Sequence, residues 1–241
     1  MAKLLFAGSG EFTDSMNDID SYLCSSINLT KIMIIPTAAG KEKDFHKWID
    51  NGISHFKKIG KEAFGGDLIS REDYFKDEYI ALLDKTNFIY FSGGDPEYLL
   101  SCIENTPFLE KLLSKLKEKD FILAGSSAGA MIMGSYTPVN ILNRIFSSNK
   151  KGVFIREALD LGHFIVIPHF NKIPKILELK YISERIINSL PDITIVGIDE
   201  DTAILTENNT EFKVLGKGSV YIINGNAKII SYKNYEIFNI K

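Results

Sequence analysis

The chain reads as an α/β protein with a doubly wound, mostly parallel sheet and a short antiparallel appendage at its C-terminal end. Three observations carry that reading. Apolar runs of strand length alternate with helical patterns from the first residues onward, which is the order of repeated βαβ units. Some of those runs, such as Ile32-Met33-Ile34-Ile35, are apolar without alternation, as strands buried on both faces of a parallel sheet are. Beyond residue 211 the pattern changes to short strands separated by glycine turns.

Element by element, Lys3–Gly8 is a first strand and Phe12–Cys24 a helix. Lys31–Pro36 holds the second strand. The helix Asp44–Lys58 turns Phe45, Trp48, Ile49, Ile53 and Phe56 inward. Ala63–Ile69 is a weaker strand and Glu72–Asp84 a helix. Asn87–Phe91 is a strong strand that ends at Ser92-Gly93-Gly94-Asp95. Two helices run to about Glu118, and Phe121–Ala124 is the next strand, followed by a short helix. Tyr136 to Gly162 is less regular. Phe164–Ile167 and Ile193–Ile198 read as further parallel strands, with a helix from Pro174, a residue suited to a first turn, to about Leu190 between them. Phe212–Leu215, Ser219–Ile223 and Ala227–Ser231 follow as antiparallel strands, joined by hairpin turns at Gly216-Lys217-Gly218 and Asn224-Gly225. No linker or repeat divides these pieces, so residues 1–241 are expected to form one domain.

Composition narrows the function. Of 241 residues 45% are hydrophobic and 24% charged, as in a globular protein with a substantial core. The net charge of −3, with lysines spread among acids, offers no groove for nucleic acid and no patch for an anionic membrane. No apolar run approaches membrane-spanning length. Cys24 and Cys102, distant and without a motif, read as buried thiols rather than a disulfide or metal site. No His/Cys/Asp cluster has metal-ligand spacing, and neither metal nor cofactor is expected. The N-terminal run is too short for a signal sequence, and the expected location is cytoplasmic.

The most specific motif is Gly125-Ser126-Ser127-Ala128-Gly129, a G-x-S-x-G placed between a buried strand and a helix. That is the pattern of a nucleophile elbow, with Ser127 at the strained turn and the Ala128 N–H opening a helix as an oxyanion donor. A serine nucleophile needs a base. Among four histidines, His46 and His55 are expected on a helix surface, and His163 lies at the amino end of a strand. His169, directly after Phe164–Pro168, is placed at a carboxyl end, where reactive sites of such sheets lie. The orienting acid would come from Asp199-Glu200-Asp201 at another strand end. Alternation sets Glu200 opposite to the two aspartates but does not choose among the three.

Other motifs are weaker. Gly8-Ser9-Gly10 starts like a dinucleotide loop, but Thr13 stands where the third glycine belongs. Ala39-Gly40-Lys41 resembles a P-loop without its first glycine or its final hydroxyl residue. An α/β-hydrolase would need its acid between serine and histidine, which leaves only Glu157 and Asp160, close in sequence to His169. Serine at 127 and His169-Phe170-Asn171 exclude glutamine amidotransferase chemistry.

Taken together and in order, Ile35-Pro36-Thr37-Ala38, Phe91-Ser92-Gly93-Gly94-Asp95, Gly125–Ala130, Pro168-His169-Phe170 and Gly197–Ala203 resemble the serine peptidases of family S51. That family includes dipeptidase E and the cyanophycinases. The resemblance implies a flavodoxin-like, class I glutamine amidotransferase-like fold. It also implies Ser127 as nucleophile, His169 as base and Glu200 as acid, with the amides of Gly94 and Ala128 as the oxyanion hole. Dipeptidase E takes its acid from shortly after the elbow, but here no Asp or Glu occurs between Ser127 and Glu157. Cyanophycinases follow the histidine with arginines, whereas this chain has Lys172 and Lys175.

The implied substrates are small peptides cleaved after an aspartyl residue, with Asp95, Lys172 and Lys175 as substrate-binding candidates. The alternative is a catalytically silent member of the fold that binds a small peptide or a partner protein. A homodimer is open to test.

Overall fold

The computed structural model describes residues 1–139, 154–173, 184, 186–224 and 229–240. Its main sheet has eight strands. In chain order these are β1 (Lys3–Ala7), β2 (Ile32–Ile35), β3 (Ala63–Gly65), β4 (Phe88–Phe91), β5 (Ile122–Ser126), β10 (Thr202–Thr206), β11 (Glu211–Gly216) and β14 (Ile237–Asn239). Across the sheet the order is β14-β11-β10-β1-β5-β4-β2-β3. The five strands from β1 to β3 are parallel, and β10, β11 and β14 extend the β1 edge antiparallel. This is the doubly wound sheet that the alternation predicts and the flavodoxin-like arrangement that the family resemblance implies, with antiparallel strands attached from the C-terminal part of the chain.

Period two sorts each strand between two cores. On one face Leu5, Ala7, Ile32, Ile34, Phe88 and Tyr90 pack against α1 (Asn17–Ser25) and α2 (His46–Lys58) through Ile19, Leu23 and Phe56, with Met16 from the turn before α1. On the other face Leu4, Phe6, Met33, Ile35, Ile89 and Phe91 meet α4 (Pro96–Ile103), α5 (Pro107–Lys115) and α6 (Ala128–Met133). Each fully buried leucine or phenylalanine contributes about 1.5–3 kcal/mol. Asp95 and Thr106 cap α4 and α5, and Pro96 and Pro107 sit where a missing N–H costs nothing. The remaining helix of the crossover series, α3 (Asp77–Leu82), is short and follows a 3₁₀ turn at Arg71–Phe75.

The runs Phe164–Ile167 and Ile193–Ile198 are strands, but not of the main sheet. They appear as β8 (Ile165–Ile167) and β9 (Ile195–Ile198), parallel to each other in a second sheet of order β13-β12-β9-β8, with β12 (Ser219–Ile223) and β13 (Ile229–Lys233). The edge of the main sheet beside β1 is already taken by β10, paired Leu4↔Thr206 through Ala7↔Ala203. The second sheet packs over it, and the Phe6 and Phe164 rings meet with centroids 5.0 Å apart. An unalternating apolar run reports burial on both sides but not which strand it pairs with.

Two further expectations change. Gly216-Lys217-Gly218 is not a hairpin turn, because β11 pairs β10 and β14 while β12 pairs β9 and β13; the turn passes the chain between sheets. The irregular stretch holds an antiparallel pair, β6 (Tyr136–Val139) with β7 (Phe154–Glu157). The helix expected from Pro174 lies largely outside the described residues, and so does part of the Asn224-Gly225 turn. Cys24 and Cys102 are free and buried. No described helix is long and apolar enough to cross a membrane.

Candidate active site

The elbow is built from the end of β5 and the start of α6. Ser127 sits between them at φ 49° and ψ −109°, outside the favoured regions for an L-residue, and is only 5% exposed. Such strain persists only where the surroundings over-determine it. Here the Ser127 N–H donates to the Ala7 carbonyl at 3.0 Å, and its own carbonyl accepts from the Met131 N–H at 3.0 Å. Gly125 and Gly129 touch across the turn: a Cβ on Gly125 would overlap the Gly129 carbonyl, so strand and helix meet only without side chains.

His169 follows β8 and Pro168 in the left-handed region, φ 51° and ψ 36°. Its N–H donates to the Gly8 carbonyl at 3.3 Å, one residue along β1 from the acceptor of Ser127. The two backbones thus hang from consecutive carbonyls at the carboxyl end of β1. The imidazole Nε2 lies 3.0 Å from Ser127 Oγ, and Nδ1 lies 2.9 Å from Glu200 Oε1.

Glu200 stands in the turn between β9 and β10, where its N–H donates to Asn171 Oδ1 at 3.1 Å. Partial burial would raise its carboxyl pKa. Hydrogen bonds from His169 and Lys172 outweigh that, and the carboxyl is held below its ordinary value. The Lys172 ammonium lies 3.3 Å from the other Glu200 oxygen. The flanking acids are occupied elsewhere. Asp199 Oδ2 accepts from the Ser219 N–H at 2.8 Å, and burial pushes its carboxyl up despite that bond. Asp201 Oδ1 accepts from the Ser15 hydroxyl at 2.6 Å.

The loop after β4 runs alongside the elbow: a Cβ on Gly93 would lie 3.4 Å from Ser127 Cβ. Its successive N–H groups have distinct fates. Ser92 N–H donates to the Ile35 carbonyl, Gly93 N–H to Glu11 Oε1 at 2.8 Å, and Asp95 N–H to the Ala38 carbonyl. Gly94 N–H, between them, has no acceptor among the described residues. Gly94 adopts φ +142°, and a Cβ there would overlap the Ala38 carbonyl, so only glycine fits. Ala128 N–H, first in α6, also lacks an acceptor, as helix-opening amides do.

The structure therefore gathers Ser127, His169 and Glu200 into one chain of hydrogen bonds, beside two N–H groups that have no acceptor among the described residues. An imidazole so backed by a carboxylate can take a proton from the hydroxyl and hold the resulting charge. Asp95 is placed differently, since Oδ1 caps α4 through the N–H groups of Glu97 and Tyr98. Lys172 is on Glu200, and Lys175 lies outside the described residues.

His55 is not a surface residue. It is 2% exposed, and its Nε2 lies 2.7 Å from Oδ2 of the fully buried Asp20. Position 55 shares a stripe with Gly52 and Phe56 at helical spacing, and its partner comes from α1, which no local pattern reveals. Two residues beside the site were not among the candidates. Glu11, 8% exposed, accepts from Gly93 N–H and from the Ser126 hydroxyl, the latter at 2.6 Å. Lys41 flanks the same loop, 3.9 Å from Asp95 Oδ2 and over the Tyr98 ring. The signal for Glu11 was an acid in a glycine-rich loop at the carboxyl end of a central strand.

Comparison with known proteins gives a consistent picture. The profile of peptidase family S51 matches residues 4–214. A cyanophycinase of Geminocystis herdmanii is 28% identical over 214 residues, covering 85% of this chain and 72% of the relative. One from Synechococcus elongatus is 32% identical over 212 residues, covering 85% of this chain and 61% of the relative, so the chain spans less than two thirds of that protein. The crystal structure of a peptidase from an acI-B1 Actinobacterium superposes with a TM-score of 0.81 at 28% identity, covering 100% of this chain and 97% of that one.

Proposed function

The chain belongs to peptidase family S51 and is a serine-type hydrolase, and we propose that it cleaves short peptides through Ser127, His169 and Glu200. The single observation that supports this most is the unbroken relay from Ser127 Oγ to His169 Nε2, 3.0 Å, and from His169 Nδ1 to Glu200 Oε1, 2.9 Å. Ser127 Oγ attacks the scissile carbonyl while His169 takes its proton. The developing oxyanion is received by the N–H groups of Gly94 and Ala128, which have no other acceptor among the described residues. His169 then protonates the departing amine, leaving an acyl-serine. Water, deprotonated by the same imidazole, attacks the acyl carbon and restores the hydroxyl. Glu200 holds the ring in the tautomer that presents a bare Nε2 to Ser127.

The substrates in this reading are short Asp-X peptides or related aspartyl and isoaspartyl bonds. Lys172 beside Glu200, and Lys41 beside Asp95, the residue after Gly94, are exposed cations whose charge a carboxylate-bearing substrate can share. Lysine pairs a carboxylate as a point charge, without the two-pronged grip of arginine, so acidic selectivity is retained but loose. Arg156 is committed to Glu104, and Arg144 and Arg185 lie outside the described residues. Cyanophycin is then a poor substrate. The two buried free thiols suit a reducing compartment, and we place the enzyme in the cytoplasm. A dipeptide library followed by mass spectrometry tests the specificity: Asp-X peptides should disappear first, and faster cleavage of apolar-X or Arg-X peptides refutes it.

A further inference from the structure

We propose that Glu11 is a positioning residue of the hydrolytic reaction, a buried carboxyl that ties the loop bearing the Gly94 N–H to the elbow bearing Ser127. This rests on the covalent reading of Ser127 given above.

The segment Ala7-Gly8-Ser9-Gly10-Glu11 touches every piece of the site. Ala7 and Gly8 carbonyls hold the backbones of Ser127 and His169, and the Ser9 carbonyl accepts from Asp201 N–H. Glu11 completes the set with its side chain. Oε1 accepts from Gly93 N–H at 2.8 Å, and Oε2 accepts from the Ser126 hydroxyl at 2.6 Å. Gly93 directly precedes Gly94, and Ser126 directly precedes Ser127. One rigid group therefore spans the two loops whose separation sets where an oxyanion would sit.

Two consequences follow. First, Gly93 N–H is withdrawn from the substrate, so of the paired glycine amides only that of Gly94 is left to meet an oxyanion. Second, fixing the Ser92–Gly93 peptide restricts the plane of the next one, which a glycine pair would otherwise leave free to rotate. Beyond the β4–β5 backbone pairing, which ends at Phe91 and Gly125, no other side chain among the described residues bonds both loops, so Glu11 is the tie that continues past the end of the ladder. Oxyanion donors act by being in place before charge develops, and a displacement of about 1 Å at a reacting centre costs roughly 10²-fold in rate.

The test uses the full chain and a fluorophosphonate probe. The Ser127 oxygen bonds to phosphorus, fluoride leaves, and the hydroxyl proton passes to His169, so the rate depends on the same oxyanion geometry without requiring a known substrate. Glu11→Ala should lower the labelling rate per folded molecule roughly 10²-fold. Glu11→Gln keeps an acceptor for Gly93 N–H and a partner for Ser126 Oγ, and should stay within about threefold of wild type. The pH midpoint of labelling should stay at its wild-type value in both variants, because the effect is on position rather than on the ionisation of His169.

Wild-type labelling by folded Glu11→Ala overturns the role of Glu11 and leaves the covalent reading intact. A pH midpoint that shifts in both variants also overturns it, since charge rather than position would then be acting. If Glu11→Ala does not fold, Ser126→Ala removes one arm of the tie: about a tenfold loss is expected, and a wild-type rate overturns the proposal. A wild-type protein that takes no probe refutes the covalent reading, and the Glu11 role with it.

Discussion

Asp199 and Glu200 are neighbours whose carboxyl groups serve opposite sides of β9 in the second sheet, the start of β12 and the turn that follows β8. Asp199 Oδ2 accepts from Ser219 N–H at 2.8 Å and secures the start of β12, whereas Glu200 Oε1 meets His169 Nδ1 at 2.9 Å. Asp201 turns away as well, to the Ser15 hydroxyl. A run of three acids thus contains one that reaches the imidazole.

Glu200→Gln should fold and lose activity by up to about 10⁴-fold, the loss when the orienting carboxylate of such a triad becomes an amide. Asp199→Asn and Asp201→Asn each keep an acceptor oxygen, for Ser219 N–H and the Ser15 hydroxyl respectively, and should retain rates within about tenfold. Steady-state kinetics of the three purified variants make the comparison. A larger rate loss in either aspartate variant contradicts the assignment of Glu200.

The same carboxyl gives a pH signature in stability. Its pKa in the folded chain lies below the ordinary 4.5, because the bonds from His169 and Lys172 outweigh burial. A group depressed on folding contributes stability that is present above its unfolded pKa and is lost as pH falls through the folded one. Urea denaturation at pH 7 and pH 3 should show wild type more stable than Glu200→Gln at neutral pH, with the gap narrowing in acid. A gap that widens on acidification contradicts the direction of the shift.

The buried His55–Asp20 pair is structural. Burial pushes the Asp20 carboxyl up, against the pull of His55. Removing the histidine leaves that carboxyl without its partner in the core between α1 and α2. His55→Ala should therefore destabilise by about 3–5 kcal/mol, while the folded fraction keeps its activity. Chemical denaturation with activity normalised to folded protein checks both halves. A loss of less than about 1 kcal/mol contradicts the account of the pair.

What was legible in the sequence was local. Continuous apolar runs marked β1, β2, β4 and β5, and the glycines around Ser127 marked a turn that other residues could not make. His169 could be placed because a strand ended just before it. Pairing between strands was not legible, because it is made by backbone groups common to every residue; β8 and β9 therefore went to the wrong sheet. The Thr202–Thr206 strand passed unnoticed behind the acids that precede it. Glu11 and His55 were missed for one reason: each is defined by a partner far away in the chain, Ser126 and Asp20, and neither residue type announces burial.

The central claim is that Ser127 is a nucleophile activated by His169, and site-resolved labelling tests it most directly. After reaction with a fluorophosphonate, peptide mapping should find one adduct, on Ser127. Ser127→Ala should take none, and His169→Ala should label slower by on the order of 10³-fold or more, as members of one catalytic unit do. An adduct elsewhere, or undiminished labelling of Ser127→Ala, contradicts the claim.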